Sequence, residues 1–269
     1  MSQRALFSTV TRWAMLGALG IGLGLCTPAG AKGTAMAPPK VAQLVEQMDT
    51  AASARDLTRL LATYSPNFVH GDGLDRKAFS RSLEQFWNQY PNLTYKTEVV
   101  AWTENRQGGV AETLTRISGT RQEKGREFAL EATLRSRQHF EGDRLVRQET
   151  LSEESTVKTG ARPPKLAVNL PQTVKTGETF SLDVIVLEPI ENDLLLGGVK
   201  DEAISTASYP LPSKVAVEPL IDAKSGTGPG GIFKLGKAPD RPESRWISAV
   251  VVRKDGITMV TRRLQVVAK

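Results

Sequence analysis

Histidine is the side chain best suited to acid–base chemistry at neutral pH, and the chain has two, His70 and His139. His70 follows a short apolar run and directly precedes the turn-like segment Gly71-Asp72-Gly73. Because imidazole titrates near neutrality, His70 could act as a general base. We favour a histidine at the rim that is hydrogen-bonded to the backbone, since no second histidine or acid lies at a spacing that forces a catalytic pair.

Two aspartates near His70, Asp72 and Asp75, could form a pair of acids. The simpler interpretation makes Asp72 a turn residue and Asp75 the cap of the helix that follows. We therefore assign neither aspartate to catalysis.

His139 alternates with Arg135 and Arg137, which places it on the polar, solvated face of a strand. The two arginines could bind an acidic partner through forked hydrogen bonds. Glu131 and Glu149, on neighbouring strands, can equally form cross-strand pairs with them, and we favour this pairing.

Metal and cofactor chemistry have little support in the sequence. Two widely spaced histidines do not make a standard zinc set, and Glu153-Glu154 at a strand end is interpreted as a solvated rim. The segment 226–231 contains a formal G-x-G-x-x-G, but Pro229 interrupts it and residues 232–235 are typical of a strand, whereas a dinucleotide site needs a helix there. We predict no cofactor and no metal.

The first 31 residues predict a secretory signal. Arg4 and Arg12 provide the basic front, residues 13–25 form an apolar run too short for a membrane span, and cleavage is expected after Ala31. Lipidation at Cys26 is a second possibility, although the preceding Leu25 replaces the expected small residue; an uncleaved anchor is a third. Export to the periplasm or outside the cell follows in each case, and after cleavage no cysteine remains.

The formal net charge is +6, and loss of Arg4 and Arg12 with the signal lowers it to +4. This net charge is small, and acidic residues are interleaved with the basic ones. The sequence therefore lacks the basic patch that is typical of nucleic-acid binding. The only membrane contact expected is through an uncleaved or lipidated signal segment.

Three helical segments follow a small-residue linker at 32–39. Apolar residues recur at helical spacing in each segment, and Asp56 and Asp75 precede the second and third as caps. The apolar positions are Val41, Leu44, Val45 and Met48, then Leu57, Leu60, Leu61 and Tyr64, then Phe79, Leu83, Phe86, Trp87 and Tyr90.

A meander of four long strands comes next, at about 93–103, 110–121, 127–140 and 144–152, joined by short polar turns. One face of the third strand is apolar and the other is charged, so the apolar face must be covered. The upstream helices are the available cover.

This order of elements, with the short strand Asn67-Phe68-Val69-His70-Gly71 between the second and third helices, resembles the NTF2-like superfamily and its SnoaL-type members over about residues 40–155. The resemblance implies an α+β cone, with three helices packed on a curved antiparallel sheet and a cavity at the mouth. Family enzymes use Asp, His or Tyr inside the cone, which makes His70 a weak catalytic candidate. The implied pocket candidates are His70, Trp87, Tyr90, Tyr95 and Trp102, and most of the aromatic stripe is expected to be packing.

A second domain is predicted at 165–269, after a linker at 156–164. Strand-like runs, proline-rich connections and the hairpin signal Lys254-Asp255-Gly256 favour an all-β, immunoglobulin-like sandwich. The Cys–Trp–Cys signature is absent, so the resemblance concerns architecture alone.

Three functions compete. The first is an exported, non-catalytic protein that binds a protein or a small apolar ligand. The second is a structural or assembly module that forms a homodimer, and the third is a SnoaL-like isomerase, dehydratase or cyclase. We favour the first, because the fold forms a cavity without a convergent catalytic set, and fold alone does not fix function.

Overall fold

The computed structural model describes residues 37–189, 195–209, 215–220 and 230–269. The predicted signal sequence, Cys26 and most of the linker at 32–39 lie outside these residues, as do 226–229 of the glycine-rich segment. Within the described ranges, no helix is both long and apolar enough to cross a membrane.

The three predicted helices are confirmed as α1 (Pro39–Ser53), α2 (Leu57–Ala62) and α3 (Arg76–Gln89). Asp56 caps α2 by accepting from the Arg59 amide at 2.9 Å, and Asp75 caps α3 by accepting from the Ala78 amide at 2.7 Å. Tyr64, predicted to extend the apolar face of the second helix, instead begins a strand.

That strand is β1 (Tyr64–His70), and the meander follows as β2 (Asn92–Asn105), β3 (Gly108–Glu123), β4 (Arg126–Glu141) and β5 (Arg144–Gly160). The four meander strands pair antiparallel in chain order, as predicted. A two-residue turn with positive φ at Lys124 and Gly125 joins β3 to β4, which suits the right-handed twist of a hairpin.

The C-terminal half contributes eight strands. They are β6 (Leu166–Asn169), β7 (Thr173–Lys175), β8 (Thr179–Val186), β9 (Leu196–Ala203), β10 (Glu218–Pro219), β11 (Gly231–Lys237), β12 (Glu243–Arg253) and β13 (Gly256–Val267). The predicted hairpin at Lys254-Asp255-Gly256 is confirmed, since it joins β12 to β13.

Strands from both halves form one ten-stranded sheet, in the order β10-β9-β12-β13-β5-β4-β3-β2, with β1 beside β5 and β7 beside β13. A separate three-stranded sheet has the order β11-β8-β6. The connection between the halves is β5, because Glu154–Gly160 of this strand pair with Gly256–Arg262 of β13.

The predicted fold class is therefore wrong. The described residues form a largely antiparallel β structure dominated by one extended sheet, instead of three helices on a closed curved sheet followed by a separate sandwich. Residues 156–160 account for the error: their polar composition indicated a linker, yet they continue β5 and pair on both edges. The division into two domains at 156–164 stays a prediction.

Two hydrophobic cores lie on opposite faces of the large sheet. The first packs α1, α2 and α3 against the β2–β5 half and includes Leu130 and Val157. The second includes Val260, Leu264 and Ile247, with Val184 of the three-stranded sheet. Val157 pairs with Met259, one residue before Val260, and because side chains alternate along a strand, the cores face opposite ways.

Candidate functional site

His70 is buried at the end of β1, where its ring stacks on Phe79 with centroids 5.9 Å apart. Its Nδ1 accepts a hydrogen bond from the Asp72 backbone amide at 3.2 Å, and its Nε2 lies 3.4 Å from the Thr150 hydroxyl. An Nδ1 that accepts from an amide leaves the proton on Nε2. The geometry is that of a neutral histidine bonded to the backbone, and the ring is buried, whereas the sequence analysis placed it at the rim.

Asp72 is the centre of a polar cluster beside His70. Arg263 donates to both of its carboxylate oxygens, at 3.0 and 2.8 Å, and the Tyr209 hydroxyl donates to Oδ2 at 2.5 Å. The His70 Nδ1 lies 3.5 Å from the same Oδ2. Asp72 is thus more than a turn residue, since it links β1 to β13 and to the segment before residue 210.

Glu153 of β5 and Trp246 of β12 complete this cluster. The Trp246 indole donates to Glu153 at 2.9 Å, Arg263 approaches the same oxygen at 3.4 Å, and Tyr209 packs edge-on against Trp246. One buried arginine therefore faces two carboxylates. We call His70, Asp72, Glu153, Tyr209, Trp246 and Arg263 the Asp72 cluster.

Burial and neighbouring charges shift the pKa values in the Asp72 cluster. Burial lowers the pKa of His70 to about 4, against the opposing charge of Asp72. Burial opposes the charged form of Asp72, but the hydrogen bonds and charge of Arg263 outweigh it and hold the pKa below its usual value. Burial and the charge of Asp72 raise the pKa of the Tyr209 phenol. Near pH 7 the cluster thus holds a neutral imidazole, a neutral phenol and an ionised Asp72–Arg263 pair.

The other predicted pocket residues lie at separate places in the first core. The Trp87 indole donates to the Tyr95 hydroxyl at 3.0 Å, and burial raises the pKa of Tyr95 to about 12. Trp87 also lines an open groove of about 510 Å³ together with Arg55, Leu57 and Glu84. Tyr90, in contrast, packs against Phe86.

Trp102 is buried against Phe140, and its ring covers Gly109, where a Cβ would lie 2.2 Å from a ring carbon. Its position is that of a core residue. Binding of a ligand by the five pocket candidates stays a prediction.

The remaining charged candidates lie on the outward face of the meander. Arg137 is 3.6 Å from Glu149, as predicted, whereas Arg135 pairs with Glu112 and Glu131 pairs with Lys158. His139 shares this face but is half-buried, not fully solvated. Among the described residues, no group of three His, Cys, Asp or Glu side chains is placed to hold a metal ion.

Sequence reasoning missed Arg263, Tyr209 and the role of Glu153. Arg263 lies on the opposite face of β13 from the core residues Leu264 and Val260, and no role was predicted for it. It is buried because the turn after β1 and Tyr209 cover that face. The one available signal was the unusual density of charge at Arg262-Arg263 within an apolar strand.

Comparison with known proteins finds a family match to part of the chain. Residues 161–267 match a family described as Domain of unknown function (DUF8623). No curated protein matches the sequence.

Solved structures resemble part of the chain at low sequence identity. Bdellovibrio bacteriovorus Bd1075 is 14% identical with a TM-score of 0.31, over 41% of this chain and 38% of that protein, so the match spans less than half of its length. AclR, a putative hydroxylase from Streptomyces galilaeus, is 14% identical with a TM-score of 0.32, over 43% of this chain and 77% of its own. An NTF2-like protein of unknown function from Exiguobacterium sp. 255-15 is 13% identical with a TM-score of 0.30, over 41% and 95%.

The structural neighbours thus include an NTF2-like protein, matched weakly over about two fifths of this chain, and the predicted NTF2-like resemblance stays a prediction. The immunoglobulin-like resemblance of the second half is not confirmed.

Proposed function

We propose that this chain is an exported, non-catalytic binding protein whose partner is another protein. Export is proposed because residues 1–31 contain a basic n-region, an apolar h-region and a small-residue cleavage site. Two features of the described residues support the rest of the proposal: the enclosure of His70 and an exposed apolar row on the three-stranded sheet.

The enclosure of His70 argues against acid–base catalysis. A general base must reach a substrate proton and have a pKa near the working pH. The His70 ring is buried between Phe79 and Tyr209, both ring nitrogens face protein atoms, and its pKa is lowered to about 4. These properties suit a structural residue.

The observation that carries the proposal is the exposed apolar row. Phe233 and Leu235 alternate on the outward face of β11 and are 56% and 80% exposed, and Leu187, which follows β8, is 62% exposed. Ile185 of β8 faces the same way, because it pairs with Gly231 two residues before Phe233. Asp183 and Ser181 of β8 lie beside Phe233 and Leu235 on this face, so polar side chains border the row. Exposed apolar side chains with a polar border mark protein-binding surfaces, since their burial in a complex is favourable.

Site-specific photocrosslinking in the producing cells tests this proposal. A photoreactive phenylalanine analogue in place of Leu235 should yield a covalent adduct with another protein, and Phe233→Asp in the same chain should abolish it, because a charge in the row opposes burial. His70→Asn should leave the adduct in place.

The matched control places the same analogue at Val100, which is 43% exposed on β2, far from the row in the strand order. Adducts of equal yield at both positions, or none at Leu235, would contradict the proposal. An adduct between two copies of this chain would favour the assembly alternative instead.

A further inference from the structure

A groove of about 750 Å³ lies at one end of the large sheet, where β4, β5 and β13 meet. Its walls are the turn between β3 and β4, the segment from Lys158 to Pro163, and the hairpin between β12 and β13. The apolar row belongs to the other, three-stranded sheet, and the groove includes no member of the Asp72 cluster.

The groove is lined by four basic side chains and two acidic ones. The basic residues are Arg126, Lys158, Arg253 and Lys254, and the acidic residues are Glu127 and Asp255.

Both acidic side chains already have partners beside the groove. Asp255 accepts from the Arg162 guanidinium at 2.5 Å, which lowers its pKa, and Glu127 accepts from the Gln122 amide at 3.1 Å. The lining residue Arg253 also lies 3.9 Å from Asp255, and Arg162 adds a second cation to this acid from outside the lining. The lining still has more basic than acidic side chains. Lys158 shares its charge with Glu131, at 3.6 Å.

Arg126 and Lys254 remain as cations without an acidic partner among the described residues. They lie on two turns, at β4 and at the start of β13, with β5 between. Neighbouring strands lie about 4.8 Å apart, so the two backbones are about 10 Å apart across the groove. Arginine and lysine side chains that start from backbones at this separation are long enough to contact one small anion from two sides.

Access to this space is open at the turn. Gly125 has no atom within 4 Å of the position that a Cβ would occupy, and Arg126 itself is exposed.

We infer that this groove binds a small soluble polyanion that carries at least two phosphate or carboxylate groups. The excess of cations over acids, the internal neutralisation of Asp255 and the opposed placement of Arg126 and Lys254 lead to this ligand class. The inference is independent of the proposed protein-binding row, which lies on the other sheet.

Calorimetric titration of the full mature chain with pyrophosphate and, separately, with citrate tests the inference at low salt. Saturable binding of one of them is expected, and which one binds identifies the phosphate or carboxylate source. The double variant R126Q/K254Q should weaken binding by about tenfold or more, since two charge-assisted contacts are lost.

The matched control is K96Q/R106Q, which removes two exposed cations from β2 and its turn at the other edge of the sheet. This variant has the same net charge as the first and should keep binding within about twofold. Equal weakening in both variants would indicate a nonspecific charge effect and overturn the inference. No saturable binding of either anion, or binding only to vesicles of anionic phospholipid, would also overturn it.

Discussion

The imidazole of His70 is held neutral by its surroundings, and this affects stability more than chemistry. The groups that face it are Asp72 on its own turn, Tyr209, Arg263 of β13 and Thr150 of β5. An unfolded histidine binds its proton at about pH 6.5, whereas folded His70 does so at about 4. Between these values acid favours the unfolded chain, because only that state takes up the proton.

We therefore expect the free energy of unfolding to fall by about 3 kcal/mol through His70 as the pH drops from 7 to 4. Protonation of Asp72, whose pKa is lowered, adds to the loss at the acidic end of this range. In His70→Asn the part of the slope that belongs to His70 should disappear, although the variant is less stable at pH 7. Urea denaturation at several pH values measures both effects.

The matched control is His139→Asn, which changes the other histidine on the outward face of β4. It measures how far a histidine-to-asparagine change outside the Asp72 cluster alters the slope between pH 4 and 7. A slope that is unchanged in His70→Asn would show that other groups control the acid response.

At the scale of elements, helix α1 closes part of the free edge of β2. Asp49 accepts from the Thr97 amide at 2.6 Å, and Ser53 accepts from the Tyr95 amide at 2.9 Å. Residues i and i+4 of a helix are about 6 Å apart, close to the spacing of residues i and i+2 in a strand. One helix face can therefore satisfy alternate amides of an edge strand that would otherwise invite pairing with another chain.

Replacing both α1 side chains in D49A/S53A should cost about 2–4 kcal/mol, since two half-buried amides lose their partners. Hydrogen exchange at the Tyr95 and Thr97 amides should accelerate more than exchange elsewhere in β2. Thr50→Ala is the control: its hydroxyl bonds only within α1, to the Glu46 carbonyl, so β2 exchange should not change. Uniform acceleration along β2 would instead indicate general destabilisation.

Local patterns were sufficient to predict most of these elements. The caps at Asp56 and Asp75, the four meander strands and the hairpin at Asp255-Gly256 follow from side-chain type and spacing within about fifteen residues. The role of Asp49 was not predictable in this way, because an aspartate in the polar face of a helix carries no information about a strand more than forty residues away.

At the scale of the whole molecule, one edge of β5 is shared by two strands. β1 pairs with its first part, at Leu145–Gln148, and β13 pairs with its last part, from Glu154 onward. In the gap between them, the Gln265 amide donates to the carbonyls of Thr150 and Leu151, at 3.4 and 2.8 Å. A side chain thus replaces the missing strand, and the buried backbone groups keep their partners.

The Asp72 cluster lies beside this gap and fastens β13 to the turn after β1. Neither the shared edge nor the cluster could be predicted from the sequence, because pairing between strands about a hundred residues apart leaves no local period. The polar residues 156–160 of β5 indicated a linker instead of a strand. Nothing in the local sequence indicated that Arg263 would be buried.

Arg263→Met tests whether this junction couples the two halves. The change removes the buried cation from between Asp72 and Glu153 and should cost about 3 kcal/mol, because two partly buried carboxylates lose their partner. Arg262→Met is the control on the same strand: Arg262 pairs with the exposed Glu154 at 3.5 Å, and its loss should cost under about 1 kcal/mol.

Tryptophan fluorescence shows which half of the chain unfolds. The measurement uses the protein that begins at residue 32, because this form lacks Trp13. W246F leaves Trp87 and Trp102 to report on the helices and meander, and W87F/W102F leaves Trp246 to report on the C-terminal strands. Because β5 pairs with strands of both halves, the two fluorescence signals should show the same urea midpoint. Arg263→Met should lower both midpoints together. Separate transitions, with only the Trp246 midpoint shifted, would show that the halves fold independently and that β5 transmits little stability between them.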